Sequence, residues 1–177
     1  MQKVVTVSFL ATILFLGTGF TQMKKKAALN WISFEEAAQL QQEKPLPILI
    51  DVYTHWCGWC KVMDKKTYSK PVVIEYLNKK FYLIKFNAET KEPITWRGKT
   101  YTYNPQYRTH GLAVALLNGE LAYPTTVFIP DAQSQPQPVP GFLETQELEL
   151  MAKYFGEGHF GKTAFESYAK KFRPEWK

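Results

Sequence analysis

Between Ser33 and Phe155 the apolar positions follow two periods, and the switches between them lay out the elements. Over 34–42, Phe34, Ala37, Ala38 and Leu40 recur at helical spacing. They follow Ser33-Phe34-Glu35-Glu36, a capping box with Ser33 as N-cap and Glu36 reaching back to its amide. Pro45 and Pro47 forbid helix, and Ile48–Tyr53 is a nearly unbroken β-favouring run, the pattern of a central strand covered on both faces. A helix is expected from Cys57 towards Lys66. Ser69-Lys70-Pro71 then offers a fresh cap for a second helical piece over 70–79, with Val73, Ile74 and Leu77 inward. Residues 81–87 read as the next strand, and strand, helix, strand implies a crossover with parallel pairing.

Residues 89–107 break the periodicity, with Trp96, Tyr101, Tyr103 and Tyr107 set among polar positions. An alternation at 100–103 predicts a small hairpin. The segment reads as a surface insertion packed down by its own aromatics, with a peptide-binding platform as the alternative. Residues 109–117 look helical and stop at Asn118-Gly119. Thr125–Ile129 is strand-like, the proline-rich 131–140 reads as an exposed turn, and 139–143 is expected to return as an antiparallel edge strand. An amphipathic helix over 144–155 uses Leu148, Met151, Ala152 and Phe155, and a last short helix covers 162–172. The whole is an α/β pattern without internal repeats.

A chain of 177 residues suits one domain with a short extension, and 45% hydrophobic with 15% aromatic residues is a globular composition. The net charge of +6 is concentrated at the start. Four of the 22 bases lie in residues 1–26, which hold no acid, so the rest carries 18 bases against 16 acids. No basic cluster marks a nucleic-acid surface there. Residues 4–20 are apolar behind the basic start Met1-Gln2-Lys3, so 1–22 reads as a signal peptide, 23–32 as a linker and 33–177 as the domain. The expected location is exported and periplasmic. Gly17-Thr18-Gly19 is a poor cleavage site and Lys24–Lys26 resist translocation, which makes an uncleaved membrane anchor the alternative.

The two cysteines, Cys57 and Cys60, stand in a Cys-x-x-Cys pair directly behind the central strand. A structural disulfide closing so small a ring would stabilise the fold weakly, so chemistry explains the pair better. At a helix start Cys57 is the natural nucleophile, because unpaired amides favour its thiolate, and Cys60 is placed to attack the resulting mixed disulfide. Zinc would need further ligands, and His55, His110 and His159 lack ligand spacing. Packing or surface roles suit these histidines, although His55 is near enough in sequence to tune Cys57. No metal or other cofactor is expected.

Trp56-Cys57-Gly58-Trp59-Cys60-Lys61 resembles the active site of the thioredoxin superfamily, with tryptophan at position 59 where thioredoxin has proline. Asp51 falls where that family keeps a buried aspartate, Lys85 where it keeps the lysine partner, and Tyr123-Pro124-Thr125 where it has the cis-proline loop. Met63, Thr67-Tyr68-Ser69, Pro71-Val72-Val73 and Tyr76-Leu77-Asn78 are similar to a subgroup of exported bacterial thioredoxin-like proteins. The resemblance spans 33–155.

It implies a thioredoxin fold: a central mixed β-sheet flanked by helices, here with an insertion before the cis-proline loop and an extra C-terminal helix. It also implies thiol-disulfide exchange on protein substrates, fed by a separate redox donor, in a monomer. Cys57, Cys60, Asp51 and Lys85 would be catalytic, and Trp56, Gly58, Trp59, Tyr123 and Pro124 would meet substrate. Reduction is the expected direction, although Trp59 departs from the pattern at a position that influences potential. The alternative is a binding module of the same fold that recruits an envelope partner through the aromatic insertion.

Overall fold

The computed structural model describes residues 27–177, so the expected signal or anchor at 1–22 lies outside the described residues. The first helix, α1 (Phe34–Glu43), starts where expected. Ser33 Oγ accepts the Glu36 N–H at 3.0 Å, and Phe34, Ala37 and Gln41 form its buried side. The strand β1 (Ile48–Tyr53) has five of its six residues buried, as a strand packed on both faces must. The helix α2 (Gly58–Met63) runs on through a π-helical turn, Asp64–Tyr68, into α3 (Pro71–Lys80) and β2 (Tyr82–Asn87). Lys70, not Ser69, is the N-cap of α3, because the Ser69 hydroxyl donates to Lys65 O instead.

Beyond β2 come β3 (Ile94–Trp96), β4 (Lys99–Tyr101), β5 (Tyr103–Asn104), β6 (Thr109–His110), α4 (Gly111–Leu116), β7 (Thr125–Ile129) and β8 (Gln137–Pro140). The helices α5 (Thr145–Gly156) and α6 (Phe165–Lys171) complete the chain. The main sheet has the order β2-β1-β7-β8, with β1 parallel to β2 and antiparallel to β7. One core, built on Ile48, Ile50, Val52, Val127 and Ile129, lies under α1 and α4. The other, built on Leu49, Leu83 and Phe128, lies under α2, α3 and α5. This is the thioredoxin fold, with an insertion ahead of Tyr123-Pro124 and an added C-terminal helix.

Four further expectations need correction. The hairpin lies over 94–101, not 100–103, because the turn is Arg97-Gly98, both at positive φ (51° and 76°), as a tight two-residue hairpin loop requires. It is pinned by buried Trp96, whose ring packs 5.4 Å from Phe34. The helix expected from Thr109 starts at Gly111, since Thr109 and His110 first pair with Asn104 and Tyr103, and the His110 ring then caps the helix. The edge strand begins at Gln137 and ends at Pro140. Its prolines are tolerated because β8 has a neighbour on one side only. The last helix begins at Phe165, since Lys162 and Thr163 donate to His159 O in a closed turn.

Both ends of the described chain are tied down. Residues 28–32, expected as the end of a linker, run beside β2, with Ile32 N–H bonded to Leu83 O at 2.8 Å and Asn30 N–H to Asn78 Oδ1 at 2.8 Å. At the other end Trp176 is buried, 5.1 Å from the Tyr76 ring. Glu149, fully buried, accepts the N–H groups of Glu175 and Trp176 and pairs with Lys153 at 2.8 Å. Removing Glu149 leaves the Glu175 and Trp176 amides without their acceptor, while Lys153 keeps Glu175, so Glu149→Ala should lower stability by about 3 kcal/mol in chemical denaturation. Glu149→Gln, which keeps an acceptor for the tail, should lose less.

Candidate active site

The strand β1 delivers the chain to a turn closed by Cys57 N–H to Thr54 O at 3.2 Å. Cys57 is the N-cap of α2: its sulfur accepts the Cys60 N–H at 3.0 Å. Both cysteines are buried and joined in a disulfide, with their Cα atoms 5.4 Å apart. The two tryptophans beside them are not buried. Trp56 is 68% and Trp59 63% exposed, although each is held in place. Trp56 Nε1 donates to Glu89 Oε1 at 2.9 Å and its ring meets Tyr123 edge-on at 5.9 Å, while Trp59 leans on Phe142 at 5.6 Å. Gly58, between them, faces open space. The Tyr123–Pro124 bond is cis.

Beneath the loop, one rung of the sheet is polar. Lys85, Asp51 and Thr126 are in register across β2, β1 and β7. Asp51 shares the strand face of Leu49, on the α2 side of the sheet. It is 2% exposed and lies 3.2 Å from Lys85 Nζ. Burial drives its pKa up to about 6, with Lys85 opposing and Asp64 adding to the rise. Burial pulls Lys85 down, but Asp51 and Asp64 together outweigh it and leave its pKa raised. The Tyr68 hydroxyl lies 3.3 Å from Thr126 Oγ1, and burial, then Asp51, holds that phenol neutral.

The structure thus gathers Cys57, Cys60, Trp56, Gly58 and Trp59 on one loop and helix start, seats the Asp51–Lys85 pair on the sheet beneath, and sets Tyr123 against Trp56. Sequence reasoning missed Asp64, whose carboxylate bonds Lys85 from the π-helical turn. Its place one helical turn beyond Cys60 was a signal, but nothing in the chain marked Lys85 as its partner. Glu89 was missed as well, because its role depends on a residue 33 positions away. His55 is exposed against Tyr53, His110 caps α4 and His159 packs on Tyr168. Among the described residues no three of His, Cys, Asp and Glu gather as metal ligands would.

A family model, Thioredox_DsbH, described as a protein of unknown function, DUF255, matches residues 17–147. The chain belongs to this family. Thiol:disulfide interchange protein DsbD of Pectobacterium atrosepticum is 32% identical over 62 residues, covering 33% of this chain and 11% of that protein. The chain therefore spans about a tenth of that relative's length. A solved DsbH oxidoreductase is 19% identical, with TM-score 0.53, covering 80% of this chain and 95% of that one. A putative disulphide-isomerase from Bacteroides thetaiotaomicron is 23% identical, with TM-score 0.53, covering 77% and 99%. These two likenesses are of fold.

In this DUF255-family chain the raised Asp51 pKa has a defined consequence for stability. The folded state binds the Asp51 proton more tightly than the unfolded chain does, so ionised Asp51 opposes folding above about pH 6. That penalty fades as pH falls from about 6 to about 4. A tenfold difference in proton affinity between the two states is worth about 1.4 kcal/mol. Asp51→Asn, which keeps an acceptor for Lys85, should therefore be more stable at pH 8 by up to about 3 kcal/mol. The gain should vanish near pH 4 in urea unfolding of the oxidised protein. Asp64→Asn should lower the Asp51 pKa in a carboxyl NMR titration, since it removes a like charge and leaves Lys85 to Asp51 alone.

Proposed function

We propose that this protein is a thiol-disulfide oxidoreductase of the cell envelope that reduces disulfides in other proteins. The observation that carries the reading is the Cys57–Cys60 disulfide at the start of α2, above a buried carboxylate whose pKa is about 6. A group with that pKa can take up and return a proton near neutral pH, which a surface aspartate does poorly. The reading is supported by family membership and by the name thiol:disulfide interchange protein borne by the Pectobacterium relative.

In the forward direction a dithiol donor reduces the Cys57–Cys60 bond. The Cys57 thiolate, favoured by the Cys60 N–H and the helix start, attacks one sulfur of a client disulfide. A Cys57–client bond forms and the other client sulfur leaves as a thiolate. Cys60 then loses its proton, through water, to ionised Asp51 and attacks the Cys57 sulfur. The internal disulfide reforms and the second client thiolate departs, so two electrons pass from the dithiol to the client. Lys85 keeps part of the Asp51 population ionised to serve as the base, since its charge opposes the effect of burial. Trp56, Trp59, Gly58 and Tyr123 form the surface that meets the client, with the buried Pro124 next to Tyr123 in the chain. Residues 1–22 direct export and 33–177 carry the activity.

Turnover of insulin disulfides with a dithiol donor tests the reading. Cys57→Ser should fall to the uncatalysed background, and wild-type rates no higher than that variant's would sink the enzymatic role. Cys60→Ser should trap mixed disulfides with several envelope proteins. A measured reduction potential near that of a strong oxidant, about −120 mV, would reverse the direction proposed.

A further inference from the structure

At the C-terminal ends of β1 and β2 a cleft of about 360 Å³ opens directly beside Trp56. Tyr107 and Leu121 line it together with Trp56 and Tyr123. The described residues expose five large apolar side chains: Trp56, Trp59, Tyr107, Val114 and Leu121. Three of these line the cleft and a fourth, Trp59, stands between the cysteines. Isolated exposed apolar residues need no explanation, but a cluster continuous with a reactive bond marks a contact surface.

The walls are held in place. Tyr107 is presented by the loop between β5 and β6, where Asn104 Oδ1 accepts the N–H groups of Gln106 and Tyr107 at 2.9 and 3.3 Å. The base of that hairpin is tied to the end of β2 by His110 N–H to Ala88 O at 2.7 Å. Trp56 is fixed by Glu89 and Tyr123. Thr54 also lines the cleft. It is 2% exposed and its hydroxyl is buried, so the wall it adds is closed rather than open to solvent. The lining charges, Glu89 and Arg108, cancel, which suits an uncharged occupant.

We propose that this cleft seats a bulky apolar side chain of the client polypeptide, next to the half-cystine attacked by Cys57. The insertion thereby selects clients by the residue that flanks their disulfide. The volume is near the lower end for a ligand pocket and suits one large side chain with its backbone. The proposal rests on the redox reading above. It concerns the first exchange: the Cys57 thiolate bonds the peptide sulfur, the peptide disulfide breaks, and its other sulfur leaves as a thiolate. Cys60 then releases the peptide thiol and closes the Cys57–Cys60 bond.

The test uses glutathione mixed disulfides of short peptides, identical except for Phe or Ser placed before or after the cysteine. Their reaction with the dithiol-reduced full protein is followed in single turnover. At least one Phe peptide should react about tenfold faster than its Ser counterpart, the discrimination a hydrophobic pocket supplies. This ratio, read within each variant, should fall towards one in the double variant Tyr107→Ser, Leu121→Ser and persist in Val114→Ser, which alters an exposed apolar residue outside the cleft. A wild-type ratio near one overturns the proposal. So does a ratio that survives the double variant or falls equally in Val114→Ser. Oxidised glutathione separates the two readings: if it is reduced but peptides are not distinguished, only the cleft proposal fails, and if no disulfide is reduced, both fail.

Discussion

A carboxylate in the middle of a sheet is the constraint around which this molecule is arranged. Asp51 occupies the central strand at 2% exposure, where an unpaired charge is costly. Three features make it tolerable. Parallel pairing of β1 with β2 puts Lys85 in register beside it, the Lys85 ammonium lies 3.2 Å away, and its own pKa rises until its ionised and neutral forms are close in free energy near pH 6. Each depends on the topology. A one-residue slip of either strand would turn Lys85 or Asp51 towards the other face.

The same rung links stability to chemistry. The position that weakens folding at neutral and alkaline pH is the one to which the proposed mechanism gives the proton exchange, and it is a destabilising group that an apolar strand would avoid. Asp64 extends this logic. By bonding Lys85 from the π-helical turn, it divides the lysine's charge between two carboxylates and leaves Asp51 less stabilised as an anion. The rest of the polar interior has a different character. Glu149 is buried more completely than Asp51, but the tail amides and Lys153 satisfy it fully, and it serves to dock the C-terminus.

The insertion divides its aromatics between the interior and the surface. Trp96 turns inward and completes the core over α1, while Tyr107 remains exposed at a hairpin tip near Trp56. Trp96 thus fits the reading of 89–107 as an insertion packed down by its own aromatics, whereas Tyr107 does not take part in that packing.

Much of the frame was legible in the chain because it rests on local rules. The Ser33 cap, the prolines before β1, the nearly unbroken β-favouring run of 48–53 and the proline at the start of α3 are each a backbone or burial statement about neighbouring residues. The Cys-x-x-Cys pair at a helix start was equally local. Boundaries moved where a distant partner competed: Thr109 and His110 joined a ladder with Tyr103 and Asn104 before a helix could begin, and Ser69 bonded backward to Lys65. Asp64 on Lys85, Glu89 on Trp56, and the cleft between Tyr107 and Trp56 had no local signature. A contact between residues tens of positions apart is set by how strands and helices pack, not by the order of the residues that make it. Neighbouring residues were enough to specify the strand that carries Asp51 and the loop that carries the cysteines. Which charges share Lys85, and which aromatics stand beside the disulfide, was settled by the packing of distant segments.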